Sequence, residues 1–208
     1  MDRAPSTQIG SSRSTSLALD YLGRYCILNA EQIAQYQVVF NNIDRNHDGL
    51  IEFDELDFGI KTVNRSLISA REQFYVTEIL EVDPTAQLNF RMFAVTAALS
   101  QRVVGLEPMV KRLIDKMNFE SLRTKLQKSK ELFYLLDERK EGVVRLDDLL
   151  IELKSGGLTP EHQELVIAKF SEKGREYIDF LDFLTYVPLF VEIHGNICDN
   201  PLDMSLER

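Results

Sequence analysis

The chain has few of the features that mark membrane proteins, secreted scaffolds or catalysts. It holds no run of about eighteen apolar residues, so no hydrophobic spanning helix is expected. Its opening stretch, MDRAPSTQIGSSRSTS, lacks the apolar centre of a secretory signal. Cys26 and Cys198 are the only cysteines in 208 residues. Their separation suits neither a zinc site nor a disulfide framework, so free thiols are expected, with a Cys26–Cys198 bridge as the alternative. His47, His162 and His194 are scattered. There is no Ser/His/Asp spacing, no phosphate-cradling glycine loop and no HExxH, and no enzymatic activity is expected. Positive charge is short as well: 24 Lys and Arg face 33 Asp and Glu, a net charge of −9. That balance argues against nonspecific nucleic-acid binding and suits a protein that holds a cation or a basic target. The expectation is a soluble, cytoplasmic protein of one or two domains. Methionine is sparse, five against twelve Phe and seven Tyr. Promiscuous grooves use many flexible methionines, so stiffer aromatic linings favour one dedicated partner, although most of these rings are expected in the core.

What is present is concentrated in residues 44–55, DRNHDGLIEFDE. Asp44, Asn46 and Asp48 place oxygen donors at positions 1, 3 and 5 of a twelve-residue loop. Gly49 at position 6 permits a sharp turn. Leu50 at 7 offers its carbonyl, Glu52 at 9 can act through a water, and Glu55 at 12 supplies two oxygens. This spacing is that of an EF-hand loop, and it wraps hard oxygen donors round one point, as Ca²⁺ requires, with Mg²⁺ possible at the same site. The alternative is a solvated acidic turn. Ile51 at position 8 is apolar, as a residue pairing with a partner loop must be. His47 at position 4 is expected on the surface.

With that loop as register, three more helix–loop–helix units emerge. Asn29 and Gln32 form a capping box for the first entering helix, with Leu28 and Ile33 at staple positions and Ile33, Tyr36, Phe40 and Ile43 at helical spacing. Ser69 and Glu72 form a second box, and the loop 81–92, EVDPTAQLNFRM, keeps Leu88 and Phe90 but has Ala86 at 6 and Met92 at 12. Loop 137–148, DERKEGVVRLDD, keeps Asp137, Glu141, Gly142 and Val144, but Arg139 stands at position 3 and the shorter Asp148 at 12. Loop 171–182, SEKGREYIDFLD, has Ser171, Lys173 and Arg175 at 1, 3 and 5 and Glu176 in place of glycine. None of these three is expected to hold a metal; Lys173 and Arg175 are expected to fill the fourth loop's vacant cation space. The loops start at 44, 81, 137 and 171, closer within pairs than between them. The expected fold is therefore all-α, two lobes of paired helix–loop–helix units. Ile51 should pair with Leu88 and Val144 with Ile178 across short antiparallel bridges.

The expected organisation is a disordered tail (1–16), an accessory helix (17–28), a first pair (29–101), a linker (102–122), a second pair (123–190) and a tail (191–208). Lys111, Arg112, Lys116, Arg123, Lys125, Lys128 and Lys130 form a basic island. It reads as a contact for an acidic partner or anionic lipid, or as a solvated helix face.

Over roughly residues 30–190 the chain resembles four-EF-hand proteins of the calmodulin, troponin C and myosin light chain superfamily. One divalent site in the first loop is similar to myosin regulatory light chains. The order of elements, with a short YLGRYCIL-type helix expected before the first hand, resembles an EF-hand auxiliary subunit of the sperm cation channel, which implies a cilium or flagellum. The resemblance implies a calcium sensor or adaptor that clamps an amphipathic helix of a larger protein. The alternatives are a constitutive light-chain-like subunit with a stabilising ion and, last, a calcium buffer.

Overall fold

The computed structural model describes residues 28–119, 130–155 and 176–199, with residues 160, 164, 167, 168 and 170. The expected N-terminal tail, all but the last residue of the accessory helix, Arg123, Lys125, Lys128, Lys173, Arg175 and the end of the C-terminal tail lie outside the described residues. The fold is all-α and EF-hand-like.

Helix α1 (Ala30–Ile43) begins where the sequence places its capping box: Gln32 N–H donates to Asn29 Oδ1 at 2.8 Å and Asn29 N–H to Gln32 Oε1 at 3.2 Å. Tyr36, Phe40 and Ile43 are buried, whereas Ile33, expected on the same stripe, stays 43% exposed, one turn before α1's first buried side chain. Strand β1 (Leu50–Ile51) and helix α2 (Phe53–Val63) complete the first hand. The second hand comprises α3 (Ala70–Ile79), capped by Ser69 and Glu72 as expected, β2 (Leu88–Asn89) and α4 (Phe90–Val104). After α5 (Pro108–Lys116) and a helical stretch over 130–136 come β3 (Val143–Arg145), α6 (Leu146–Ser155), β4 (Tyr177–Asp179) and α7 (Phe180–Asp199).

The bridges take the expected register. Ile51 faces Leu88, and Val144 faces Ile178, both antiparallel. All four side chains are buried, because each hand exposes an apolar face that only its pair can cover.

Helix α4 is the centre of the molecule. Residues 93–100 are buried without a break, so this helix is covered on every side. Its run of Ala94, Thr96, Ala97, Ala98 and Ser100 keeps it slender enough for close neighbours. Phe40 meets Phe90 and Phe93 at ring distances of 5.6 and 5.7 Å. Tyr36 donates to Gln101 Oε1 at 2.6 Å, and Asn64, at the end of α2, donates to Ser100 Oγ at 2.7 Å. Gly59 of α2 lies so near that an added Cβ would stand 2.6 Å from Ile43 Cδ1 and 2.7 Å from Phe93 Cε2. Helix α7 packs on α4 and α5, and α5 on α3, with Val110 and Ile114 buried. The segment expected to link the lobes is thus itself packed between elements of both pairs, and Arg71 of α3 ties down its end by donating to the carbonyls of Ile114 and Met117.

One contact joins the pairs through a missing donor. Pro188 stands inside α7 and has no N–H, so the carbonyl of Leu184, four residues earlier, loses its helical partner. Tyr75 of α3, fully buried, donates its hydroxyl to that carbonyl at 2.5 Å. Burial pushes the Tyr75 hydroxyl well above its ordinary pKa, so it remains a donor. Tyr75→Phe is expected to cost about 1–3 kcal/mol in urea unfolding, since it leaves a buried carbonyl unpaired. In a Pro188→Ala background, where the helix regains its own N–H, the same change should cost clearly less. Equal costs in both backgrounds would show that Tyr75 does not serve that carbonyl.

Candidate metal centre

The first loop is built by the end of α1 and the start of α2. Gly49 adopts φ +82° and His47 φ +57°, two left-handed residues that turn the chain back on itself. Asp44 is 5% exposed. Its Oδ2 accepts the Gly49 N–H at 3.0 Å, while its Oδ1 is buried with no hydrogen-bond partner. A buried anionic oxygen without a partner is costly, and a cation at that point would offset the cost. The other donors are tied locally. Asn46 Oδ1 accepts from Asp48 N–H at 3.1 Å, Asn46 Nδ2 donates to Asp48 Oδ2 at 2.9 Å, and Leu50 N–H donates to Asp48 Oδ1 at 2.8 Å. Glu52 is exposed. Glu55 Oε2 accepts from Glu52 N–H at 3.0 Å, and Arg45 lies 3.9 Å from Glu55 Oε1.

The structure therefore keeps Asp44, Asn46, Asp48, Leu50, Glu52 and Glu55 on one loop but does not draw their oxygens to one point. Among the described residues, no three His, Cys, Asp or Glu side chains converge closely enough to hold a metal. Four carboxylates repel one another when gathered, and here backbone amides hold those of Asp44, Asp48 and Glu55 apart.

Loop three shows what the first loop has spared. Its backbone repeats the same turn, with Lys140 at φ +54° and Gly142 at φ +75° in the places of His47 and Gly49. Asp137 is buried like Asp44, but both its oxygens are taken: Glu141 N–H at 2.9 Å and Gly142 N–H at 2.9 Å. In the first loop Asn46 accepts the position-5 amide, which leaves Asp44 Oδ1 over. Arg139 has no acceptor to offer, so the corresponding amide falls on Asp137.

In the remaining loops Glu81, Asp179 and Asp182 reach across to the other pair. Helix α3 ends in a Schellman turn, with Val82 N–H on Thr77 O at 2.9 Å and Glu81 at φ +54°. Glu81, position 1 of the second loop, is thereby aimed at residues 130–136: it accepts from Lys130 Nζ at 2.8 Å. Burial, with the nearby Glu81 carboxylate, pushes the Tyr134 hydroxyl up to about 12. In the fourth loop Asp179 and Asp182, positions 9 and 12, both meet Arg102 of α4. Asp179 takes it bidentately at 2.6 and 2.9 Å, and Asp182 stands at 2.9 Å. Arg102, from another hand, is thus a cation beside these acids. Sequence reasoning missed it because the contact spans 77 residues; its one local signal is a guanidinium next to the apolar Val103 and Val104 at the end of α4.

The basic island also needs correction. Lys130 is 4% exposed and spent on Glu81, so it cannot form part of a docking strip. Lys111 pairs with Glu72 at 2.9 Å. Burial raises the Glu72 pKa, but Ser69 and Lys111 outweigh it and hold the carboxyl below its usual range. Arg112 and Lys116 are exposed.

No protein-family model matches the chain. A mitochondrial adenyl nucleotide antiporter of Homo sapiens is 24% identical over 161 residues, 76% of this chain. A rabbit (Oryctolagus cuniculus) antiporter of the same name is 24% identical over 160 residues. The chain spans 28% of the length of these antiporters. Troponin C, isoform 2, of Caenorhabditis elegans is 24% identical over 159 residues, 76% of this chain and 89% of the nematode protein. The likeness is weak in identity, and it points to an EF-hand-type, calcium-binding protein. No helix among the described residues is long and apolar enough to cross a membrane.

The turn at Gly49 can be tested apart from any ligand. A Cβ there would meet nothing within 4 Å. Gly49→Ala should therefore destabilise the chain by backbone strain alone, about 1–2 kcal/mol in thermal unfolding, and Gly49→Asn by less. A neutral Gly49→Ala would show that the left-handed turn is not held.

Proposed function

We propose that the protein binds Ca²⁺ at residues 44–55 and works by binding a partner protein, not by catalysis. The observation that carries this reading is Asp44 Oδ1, a buried carboxylate oxygen left without a partner in the first loop. Its counterpart in loop three is satisfied by a backbone amide. The likeness to troponin C and the glycine-turned loop with a glutamate at position 12 support the same reading. Asp44, Asn46, Asp48, the Leu50 carbonyl, Glu52 and Glu55 would hold the ion, with Mg²⁺ a competitor. The ion would supply the positive charge that lets these carboxylates come together.

The chain's own part is the movement of Glu55. To offer both oxygens, Glu55 gives up the Glu52 amide and leaves the neighbourhood of Arg45. Glu55 lies in the first turn of α2, so α2 turns with it. In sensor hands such a rotation opens an apolar groove that takes an amphipathic helix. The adaptor reading rests on this lever and on three loops committed to structure. A constitutive light-chain-like subunit is the second reading; the ties between the pairs through Arg102, Tyr75 and Lys130 favour it, because they hold the molecule shut. A ciliary or flagellar setting accompanies either reading only through the resemblance of the YLGRYCIL segment and the hands that follow it.

Calorimetric titration with Ca²⁺ at millimolar Mg²⁺ tests the site. Glu55→Gln is expected to weaken binding at least tenfold, through loss of the bidentate ligand. Asp148→Asn in the third loop should leave the isotherm unchanged. Equal binding in wild type and Glu55→Gln would exclude this loop as the site.

A further inference from the structure

We propose that Arg102 sets the calcium affinity of the first loop from outside it, by clasping the second pair of hands to the helix against which α2 must move. The proposal rests on the calcium reading of residues 44–55.

The mechanical path is continuous. Glu55 lies in the first turn of α2, held by Glu52 N–H. One turn further on, Gly59 presses against Ile43 and Phe93 with no room for even a methyl group. The end of α2 is fastened to α4 by Asn64 and Ser100. A rotation of α2 therefore either slides off Phe93 or carries α4 along. Helix α4 runs about 13 Å from Phe93 to Arg102. There its guanidinium forks onto Asp179 and also meets Asp182. Asp179 is itself fixed, because it caps α7 by accepting Asp182 N–H at 2.7 Å. A bidentate arginine–carboxylate pair is directional and resists displacement more than a single-point pair. Whatever free energy the clasp contributes to the seen position of α4 is therefore charged against the rotation of Glu55. By linkage it lowers the affinity of the first loop.

The sign of the effect is diagnostic. Arg102→Gln removes the charge and the fork and leaves a shorter polar side chain; Asp179→Asn weakens the fork and retains Asp182. In Ca²⁺ calorimetry at fixed Mg²⁺, both variants should bind more tightly than wild type, by roughly three- to tenfold. Mere damage to the fold would weaken binding, so unchanged or reduced affinity in both variants overturns the proposal. A second measurement uses spin labels on cysteines placed at Asn41 and Lys154, with Cys26 and Cys198 replaced by serine. In chelator, Arg102→Gln should broaden the distance distribution between the pairs, and an identical distribution overturns the clasp itself. If wild type and Glu55→Gln behave alike towards Ca²⁺, the calcium reading falls and this proposal falls with it. If Glu55→Gln abolishes binding while Arg102→Gln does nothing, only the clasp falls.

Discussion

The structure depends on the burial of α4. A helix covered on all sides has no solvent face to relax toward, so every neighbour is placed by it. Tyr36 of α1 and Asn64 of α2 bond to its last turns, Phe93 fills the space beneath Gly59, and Arg102 reaches the second pair of hands. Small side chains make this possible. Bulkier residues at Ala94, Ala97 and Ala98 would push the neighbours outward and leave gaps that cost dispersion energy.

Around that helix, acids from loops two and four have a second use. Glu81 and Asp182 stand where an EF-hand loop would present its first and last ligands, and each meets a basic side chain from the opposite pair. A loop without a metal still needs its carboxylates neutralised or solvated. In this fold Lys130 and Arg102 neutralise them, and the same contacts join the hand pairs. An exposed ion pair contributes only about 0–1 kcal/mol. Lys130 is buried and Arg102 forks, so both are more directional than surface pairs, and their worth lies in fixing orientation. Loop three is satisfied from within, by its own amides. Among the described residues of the four loops, only the first keeps a buried carboxylate oxygen unspent.

Much of the fold was legible in the chain. The capping boxes at Asn29 and Ser69 depend on residues three apart, and the structure forms both. The pairing of Ile51 with Leu88 and of Val144 with Ile178 followed from aligning position 8 of each loop. The six loop residues were legible as a set of donors, yet not their present hydrogen bonds, because several amides compete for each carboxylate. Lys130 looked like a surface charge, since nothing near it in sequence declares a buried partner. Ile33 looked like core, because periodicity marks a face of a helix without saying where the neighbouring helix begins.

The division follows the range of the forces. The sequence by itself determined what local chemistry governs: helix caps, the left-handed turn at Gly49, the oxygen spacing of residues 44–55, and the apolar periodicity that pairs one hand with the next. Tertiary structure alone decided which side chains from distant segments meet. Pro188 leaves a carbonyl wanting, and only the packed fold brings Tyr75 to it. Asp179 and Asp182 carry charge in any conformation, and only the packing of α7 on α4 delivers Arg102 to them. Such contacts depend on the positions of whole helices, which the summed burial of a core sets and no short segment encodes.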